Sequence, residues 1–135
     1  MKTIVKRVTA IVCLAILSGC AAAWPKTELF AGVPQPDGPG SDSVYPADRP
    51  TNVMLRNRVQ ERFPVGSDEH VLVAWLNDQK VEIRRYSRND GGTRGRAIRS
   101  LGTWPCDRTV RVFWESSADQ QIESITADEG GSGCF

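Results

Sequence analysis

Histidine is almost missing from this chain: His70 is the only one in 135 residues. A zinc site built on several imidazoles is thereby excluded, and a nucleophilic triad could form only around His70 itself. Ser67 lies near it in sequence, but there helix capping is the expected job of the hydroxyl. Cysteine is also sparse, at four, and no two cysteines have the C-x-x-C spacing of a redox or zinc pair. The carboxylates are scattered, with no pair whose surroundings would drive their pKa values apart. Gly91-Gly92-Thr93-Arg94-Gly95 lacks the Gly-Lys-Ser/Thr ending and the following helix of a phosphate loop, so a mobile hairpin loop is expected there. Net charge is nearly absent too: 17 Lys and Arg against 16 Asp and Glu leave +1. That balance exerts no global pull on nucleic acid. The expectation is a protein that is not an enzyme, with no catalytic residue, metal, cofactor, nucleic-acid partner or small-molecule substrate.

What is present begins at the N-terminus. Lys2, Lys6 and Arg7 precede an apolar run, Val8 to Leu17, and small residues follow it. This is the layout of a secretory signal peptide. Leu17-Ser18-Gly19-Cys20 resembles the lipobox of bacterial lipoproteins. That resemblance implies a signal peptide over residues 1–19, diacylglyceryl attachment to the Cys20 thiol, cleavage before Cys20, and acylation (palmitate or a similar chain) of the new amino group. Two other readings compete. Ala21-Ala22-Ala23 fits the site of an ordinary signal peptidase. An uncleaved anchor would have only the 16 residues from Val8 to Ala23, where a spanning helix needs about 20. Within the lipoprotein family the residue after the lipidated Cys guides sorting. Ala21, rather than Asp, implies the outer membrane on its periplasmic face, with the inner membrane as the alternative. Cys13 lies in the apolar run and leaves with it.

Residues 20–48 read as a disordered tether. Pro34, Pro36, Pro39 and Pro46 alternate with Gly32, Gly38 and Gly40 among acids and serines. Such a composition buries too little apolar surface to offset its ordering entropy. A random-coil reach of about 30 Å follows for a spacer of that length. The competing reading docks the tether on a partner as an extended strand, with Trp24, Phe30 and Tyr45 as anchors.

A small α+β domain is expected over residues 49–135. Leu55, Val59 and Phe63 recur at four-residue spacing among polar residues, which is one stripe of an amphipathic helix. Asp48 is its expected cap and Phe63-Pro64 its end. Ser67 is the expected cap of a second helix, with Asp68 and Glu69 at the positive end of its dipole. Val71, Leu72, Ala74, Trp75 and Leu76 give it a broad apolar face. Pro64-Val65-Gly66 would make the pair an αα-hairpin. Beyond it the pattern turns to strands. Val81 to Ile83 starts an alternating run, Asn89 to Thr93 is a turn cluster, and Ala97 to Trp104 is a weaker strand. Val110, Val112 and Trp114 share one face of the clearest strand. Gln121 to Ala127 returns from a hairpin with Ile122 and Ile125 on opposite faces. The fold expected is a two-helix hairpin packed on a three- to four-stranded antiparallel sheet, followed by a flexible Gly-rich tail unless that tail is pinned.

Once Cys20 is lipidated, Cys106 and Cys134 remain, and an oxidising periplasm favours their pairing as a structural disulfide. A hairpin centred near Ala118 would put Cys106 opposite residue ~130, within a turn of Cys134. Charge is uneven along this stretch. Residues 80–111 hold nine basic and three acidic side chains, whereas residues 112–135 hold five acids and no base. Those halves either pair across strands, or leave Arg84, Arg85, Arg88, Arg94, Arg96 and Arg99 as a basic edge for an anionic partner. Arginine suits forked recognition of phosphate or carboxylate.

The segment Phe63-Pro64-Val65-Gly66-Ser67-Asp68-Glu69-His70-Val71, in the order helix, Gly-Ser, helix, strands after a lipobox, resembles the small outer-membrane assembly lipoproteins of the BamE/SmpA type. It is also similar to the repeat unit of the β-lactamase inhibitory protein. Both resemblances imply two helices on an antiparallel sheet over about residues 49–135. The function expected is a lipid-anchored, periplasm-facing binding or scaffold module with an envelope protein as partner. The alternative is an inhibitor or immunity-type protein that blocks an envelope or secreted enzyme.

Overall fold

Local sequence signals set the elements, and the tertiary structure arranges them as two layers. The structure, a computed structural model, describes residues 27–33, 49–100 and 106–134, with 106–108 and 131–134 as backbone only. Helix α1 spans Pro50–Arg62 and α2 spans Glu69–Asp78. Strands β1 (Glu82–Ser87), β2 (Thr93–Ser100), β3 (Cys106–Ser116) and β4 (Ile122–Cys134) follow in chain order. They form one antiparallel sheet in the order β1-β2-β3-β4. The chain is therefore an α+β domain with both helices on one face of a four-stranded meander. The expected second strand lies earlier than Ala97 to Trp104, and residues 101–105 fall outside the described residues.

Pro50 opens α1 at a position where its missing N–H costs nothing. The N-cap residue is Arg49, which makes no side-chain cap bond, and the expected cap, Asp48, is outside the described residues. Pro64 forces Phe63 out of the helical region, and Phe63 N–H closes the last turn on Val59 O at 2.9 Å. The cap of α2 falls one residue later than the sequence suggests. Asp68, not Ser67, accepts the His70 N–H at 2.7 Å, while Ser67 Oγ donates to Pro64 O at 2.7 Å. The cause is tertiary. Gly66, at φ +91°, turns the chain so that Gly66 N–H donates to Ile122 O and Ser67 O accepts from Ile122 N–H, both at 2.8 Å. The apolar face of α2 is also narrower than expected: Leu72, Trp75 and Leu76 are buried, while Val71 and Ala74 are exposed.

The core joins Leu55, Val59 and Phe63 of the first helix and its end to Leu72, Trp75 and Leu76 of the second. Both sets meet Ala97, Val110, Val112, Trp114, Ile122, Ile125 and Ala127 of the sheet. Ile122 and Ile125 are three apart and would lie on opposite faces of a regular strand. Both are buried in the same core because the register shifts between Glu115 and Ser116: Ser116 pairs with Ile122 but Glu115 pairs with Ser124. The extra residue, Glu123, forms a bulge that turns Ile122 back inward. A second shift between Cys106 and Asp107 brings Cys106 opposite Cys134, four residues beyond the uniform-register expectation: two come from the bulges and two from a hairpin centred at Asp119 rather than Ala118. Residues 128–134 are strand rather than tail.

The largest departure concerns residues 27–33, the part of the expected tether (20–48) that lies within the described residues. Glu28–Phe30 forms a 3₁₀ turn, and Leu29, Phe30 and Val33 are buried in the core. Leu29 N–H donates to Gln79 Oε1 at 2.8 Å, and Arg58 Nη1 donates to Leu29 O at 2.7 Å. Glu28 takes Arg62 Nη1 at 2.5 Å and the Trp75 indole N–H at 2.9 Å. Residues 27–33 thus belong to the domain, clamped between the two helices, and the domain is not bounded at residue 49. A window dominated by proline and glycine hid a short apolar plug, because three buried side chains suffice when two helices leave a slot between them. Trp24 and Tyr45, the other expected anchors, lie outside the described residues.

Candidate functional site

With the helices on one face, no described element covers the other face of the sheet. Register places three rows on it across β1 to β4: Glu82, Ile98, Arg111, Asp128; then Arg84, Arg96, Phe113, Thr126; then Tyr86, Arg94, Glu115, Ser124. The basic residues singled out in the sequence lie on β1, β2 and the turn between them, so the fold does bring them together. It also pairs half of them. Arg94 reaches across to Glu115 through Nε (2.8 Å) and Nη2 (2.7 Å). Arg88 closes the β1–β2 turn, bound to Asp90 at 2.5 Å and Glu123 at 2.6 Å, with Glu115 at 3.8 Å. Its hydrogen bond to Glu123 chiefly raises the Arg88 pKa above its ordinary value, with the nearby Asp90 and Glu115 charges adding to it. Arg84 holds Glu82 on its own strand at 2.7 Å, and that carboxylate raises the Arg84 pKa in the same way. Arg99 Nη1 donates to Lys80 O at 2.6 Å. Arg111, outside the predicted set, pairs with Asp128 at 2.7 Å. The basic and acidic halves of the sequence are thus adjacent strands, and much of the polarity is spent as cross-strand complementarity.

Two arginines differ. Arg85 makes no ion pair among the described residues, and neither does Arg96, whose Nε is buried without a hydrogen-bond partner. Arg96 stands directly opposite Arg84. Like charges directly opposite one another are unfavourable. Glu82 bonds Arg84 and leaves Arg96 without an ion pair among the described residues. A positive surplus therefore remains at Arg84, Arg85 and Arg96, beside the outer edge of the sheet. The loop expected at Gly91 to Gly95 is half turn and half strand. Gly91 N–H donates to Arg88 O at 3.1 Å in the turn, and Thr93 to Gly95 are strand.

The two edges of the sheet are treated differently, a feature that sequence reasoning missed. Arg88 N–H donates to Gly92 O, so by the two-residue alternation of antiparallel bonding the groups of Glu82, Arg84 and Tyr86 face β2. The N–H and C=O groups of Ile83, Arg85 and Ser87 then face outward. The same alternation carried across the sheet makes Ile125, Ala127 and Glu129 the outward groups of β4. There α1 answers them: Gln60 Nε2 donates to Ile125 O at 3.0 Å, and Glu129 N–H donates to Asn52 Oδ1 at 2.7 Å. The α1–α2 loop continues the cover through the two Ile122 bonds, and Glu69 N–H donates to Gln120 O at 2.8 Å. Among the described residues nothing bonds the outward groups of β1. Among the described residues, one edge is bonded at three positions by the chain's own groups and the other at none. An open edge is a template for another strand. The only sequence signal for it was that the alternation begun at Val81 to Ile83 fades into Arg84, Arg85 and Tyr86, which also fits an inert edge.

Other candidates have weaker geometry. His70 is exposed, and its backbone N–H is used by the Asp68 cap. Among the described residues no group of three His, Cys, Asp or Glu could hold a metal ion. An open depression of ≈ 300 Å³ lies on the outer face, lined in part by Arg94, Phe113, Glu115, Ser124 and Thr126. Its two charged residues already bond each other. Comparison with protein-family models, with curated proteins and with solved structures finds no match.

Proposed function

We propose that the chain is a lipid-anchored, periplasm-facing lipoprotein that serves as a non-catalytic binding module in a bacterial envelope, with an envelope protein as partner. The observation that carries this reading is the unequal treatment of the sheet edges: α1 and the α1–α2 loop bond the β4 edge at Ile122, Ile125 and Glu129, while among the described residues nothing bonds the outward groups of β1, beside surplus positive charge. Lipidation at Cys20 rests on the Leu17-Ser18-Gly19-Cys20 motif. It also acquires a geometric consequence. Since residues 27–33 are fixed to the helices, only the seven residue steps from Cys20 to Thr27 would separate lipid from domain. At ~3.3–3.6 Å per residue that link spans at most about 25 Å. The described chain joins the domain at Thr27 beside the helices, so the lipid would be linked from that side and the outer face of the sheet left for a partner. Such a module is held near the bilayer and displays its sheet to a partner.

Two measurements test this. Cys20→Ala should end incorporation of radiolabelled palmitate and release the protein from the membrane fraction, and continued labelling would refute the anchor. Pull-down from detergent-solubilised membranes should recover barrel or peptidoglycan-linked proteins. Capture of a secreted hydrolase with loss of its activity would replace the scaffold reading with an inhibitory one.

A further inference from the structure

Resting on the binding-module reading, we infer that the β1 edge takes an extended acidic segment of a partner protein as a fifth strand. The outward N–H and C=O groups of Ile83, Arg85 and Ser87 supply the main-chain ladder. Side chains set the preference. Arg84 points to the outer face and Arg85 to the helical side, so adjacent acids on an incoming strand meet one guanidinium on each face. An acid opposite Arg84 also relieves its confrontation with Arg96. Apolar or β-branched residues suit the places opposite Ile83 and Tyr86, the latter exposed. A second copy of this chain is a poorer occupant. Pairing β1 antiparallel with itself, with the outward residues bonded, sets Arg85 against Arg85 in the centred register. Moving the axis by one residue sets Arg84 against Arg84 in one direction and Arg84 against Arg88 in the other. Each costs what the acidic strand gains.

The test uses the detergent-solubilised mature protein and two synthetic peptides, Thr-Val-Glu-Glu-Val-Thr and Thr-Val-Lys-Lys-Val-Thr, capped at both ends. The acidic peptide should slow hydrogen exchange at the amides of Ile83, Arg85 and Ser87. The basic peptide should bind at least about tenfold more weakly, since two cross-strand charge pairs change sign. Ser87→Pro removes one outward N–H and no bond within the sheet, and proline is tolerated at such an edge. It should leave the amide spectrum otherwise native and abolish peptide binding. Arg85→Glu keeps the amide and should narrow or reverse the preference between peptides, which separates charge from main-chain pairing. Equal binding of the two peptides, or protection confined to residues outside β1, would overturn the inference. So would a concentration-dependent dimer abolished by Ser87→Pro, which assigns the edge to a second copy. A membrane partner whose cross-links map to the outer face and survive Ser87→Pro would overturn the strand pairing while leaving the binding-module reading intact.

Discussion

The Trp114 indole N–H donates to Glu69 Oε1 at 2.9 Å, in the buried contact between the first turn of α2 and the sheet. Ser116 Oγ donates to the other carboxylate oxygen at 2.7 Å. Glu69 and Trp114 are almost wholly inaccessible. A side chain that looks in sequence like an exposed helix-dipole acid is in fact the polar bolt between helix and sheet. Buried polar groups of this kind cost little when satisfied and much when one partner is removed.

The bolt predicts a graded response. Glu69→Ala leaves two buried donors without an acceptor, at about 1–3 kcal/mol each. Glu69→Gln can still accept from Trp114 and donate to Ser116 Oγ, so its loss should be much smaller. Urea unfolding of the two variants should give that order. Equal losses would mean that the carboxylate charge, not its bonding, matters.

Gly95 sits opposite Trp114 on the core face of the sheet. A Cβ at Gly95 would overlap the six-membered ring of the indole. Gly95→Ala should therefore destabilise by about 1–3 kcal/mol or more, as overpacking does. It should also change the near-ultraviolet circular dichroism of tryptophan. A native spectrum with unchanged stability would show that the ring can move aside.

The plug of residues 27–33 makes a prediction opposite to that of a simple spacer. Leu29→Ala should cost about 2–5 kcal/mol and Phe30→Ala about 3–5 kcal/mol, the values for buried positions. A chain beginning at residue 49 should lose more than either. Thermal unfolding that does not respond to these changes would return the segment to the tether.

Register puts Cys106 directly opposite Cys134. Directly opposed residues have Cα atoms about 4.5–5.5 Å apart, inside the range that a disulfide bridges, about 4.4–6.8 Å. Mass spectrometry without reductant should find the two joined. Cys106→Ser, Cys134→Ser and the double variant should each lose the same stability, about 3–4 kcal/mol for a loop of this size. Two free thiols in protein folded under oxidising conditions would refute the link.

The strongly local features were legible in advance. The α1 stripe, its stop at Phe63-Pro64, and the inward face of Val110, Val112 and Trp114 all follow from periodicity or from the proline. The candidate site was legible only as composition. Six arginines could be named, but Arg88 and Arg94 could not be told from Arg85 and Arg96, because their carboxylates come from Glu115 and Glu123 on other strands. The two bulges in β4 were invisible as well. Each moves the register by one residue, and nothing at Glu123 marks it as the extra one.

Taken alone, the amino-acid sequence determined the element types, their order and the charge polarity of the sheet, since these depend on spacing along one segment. Only the tertiary structure decided that Leu29 and Phe30 are core, that Glu69 is buried, that Cys106 faces Cys134, and that α1 bonds the β4 edge while, among the described residues, nothing bonds the outward groups of β1. Each of these depends on groups far apart in the chain meeting in one place. The free energy of such meetings resides in the pair and is carried by neither segment by itself.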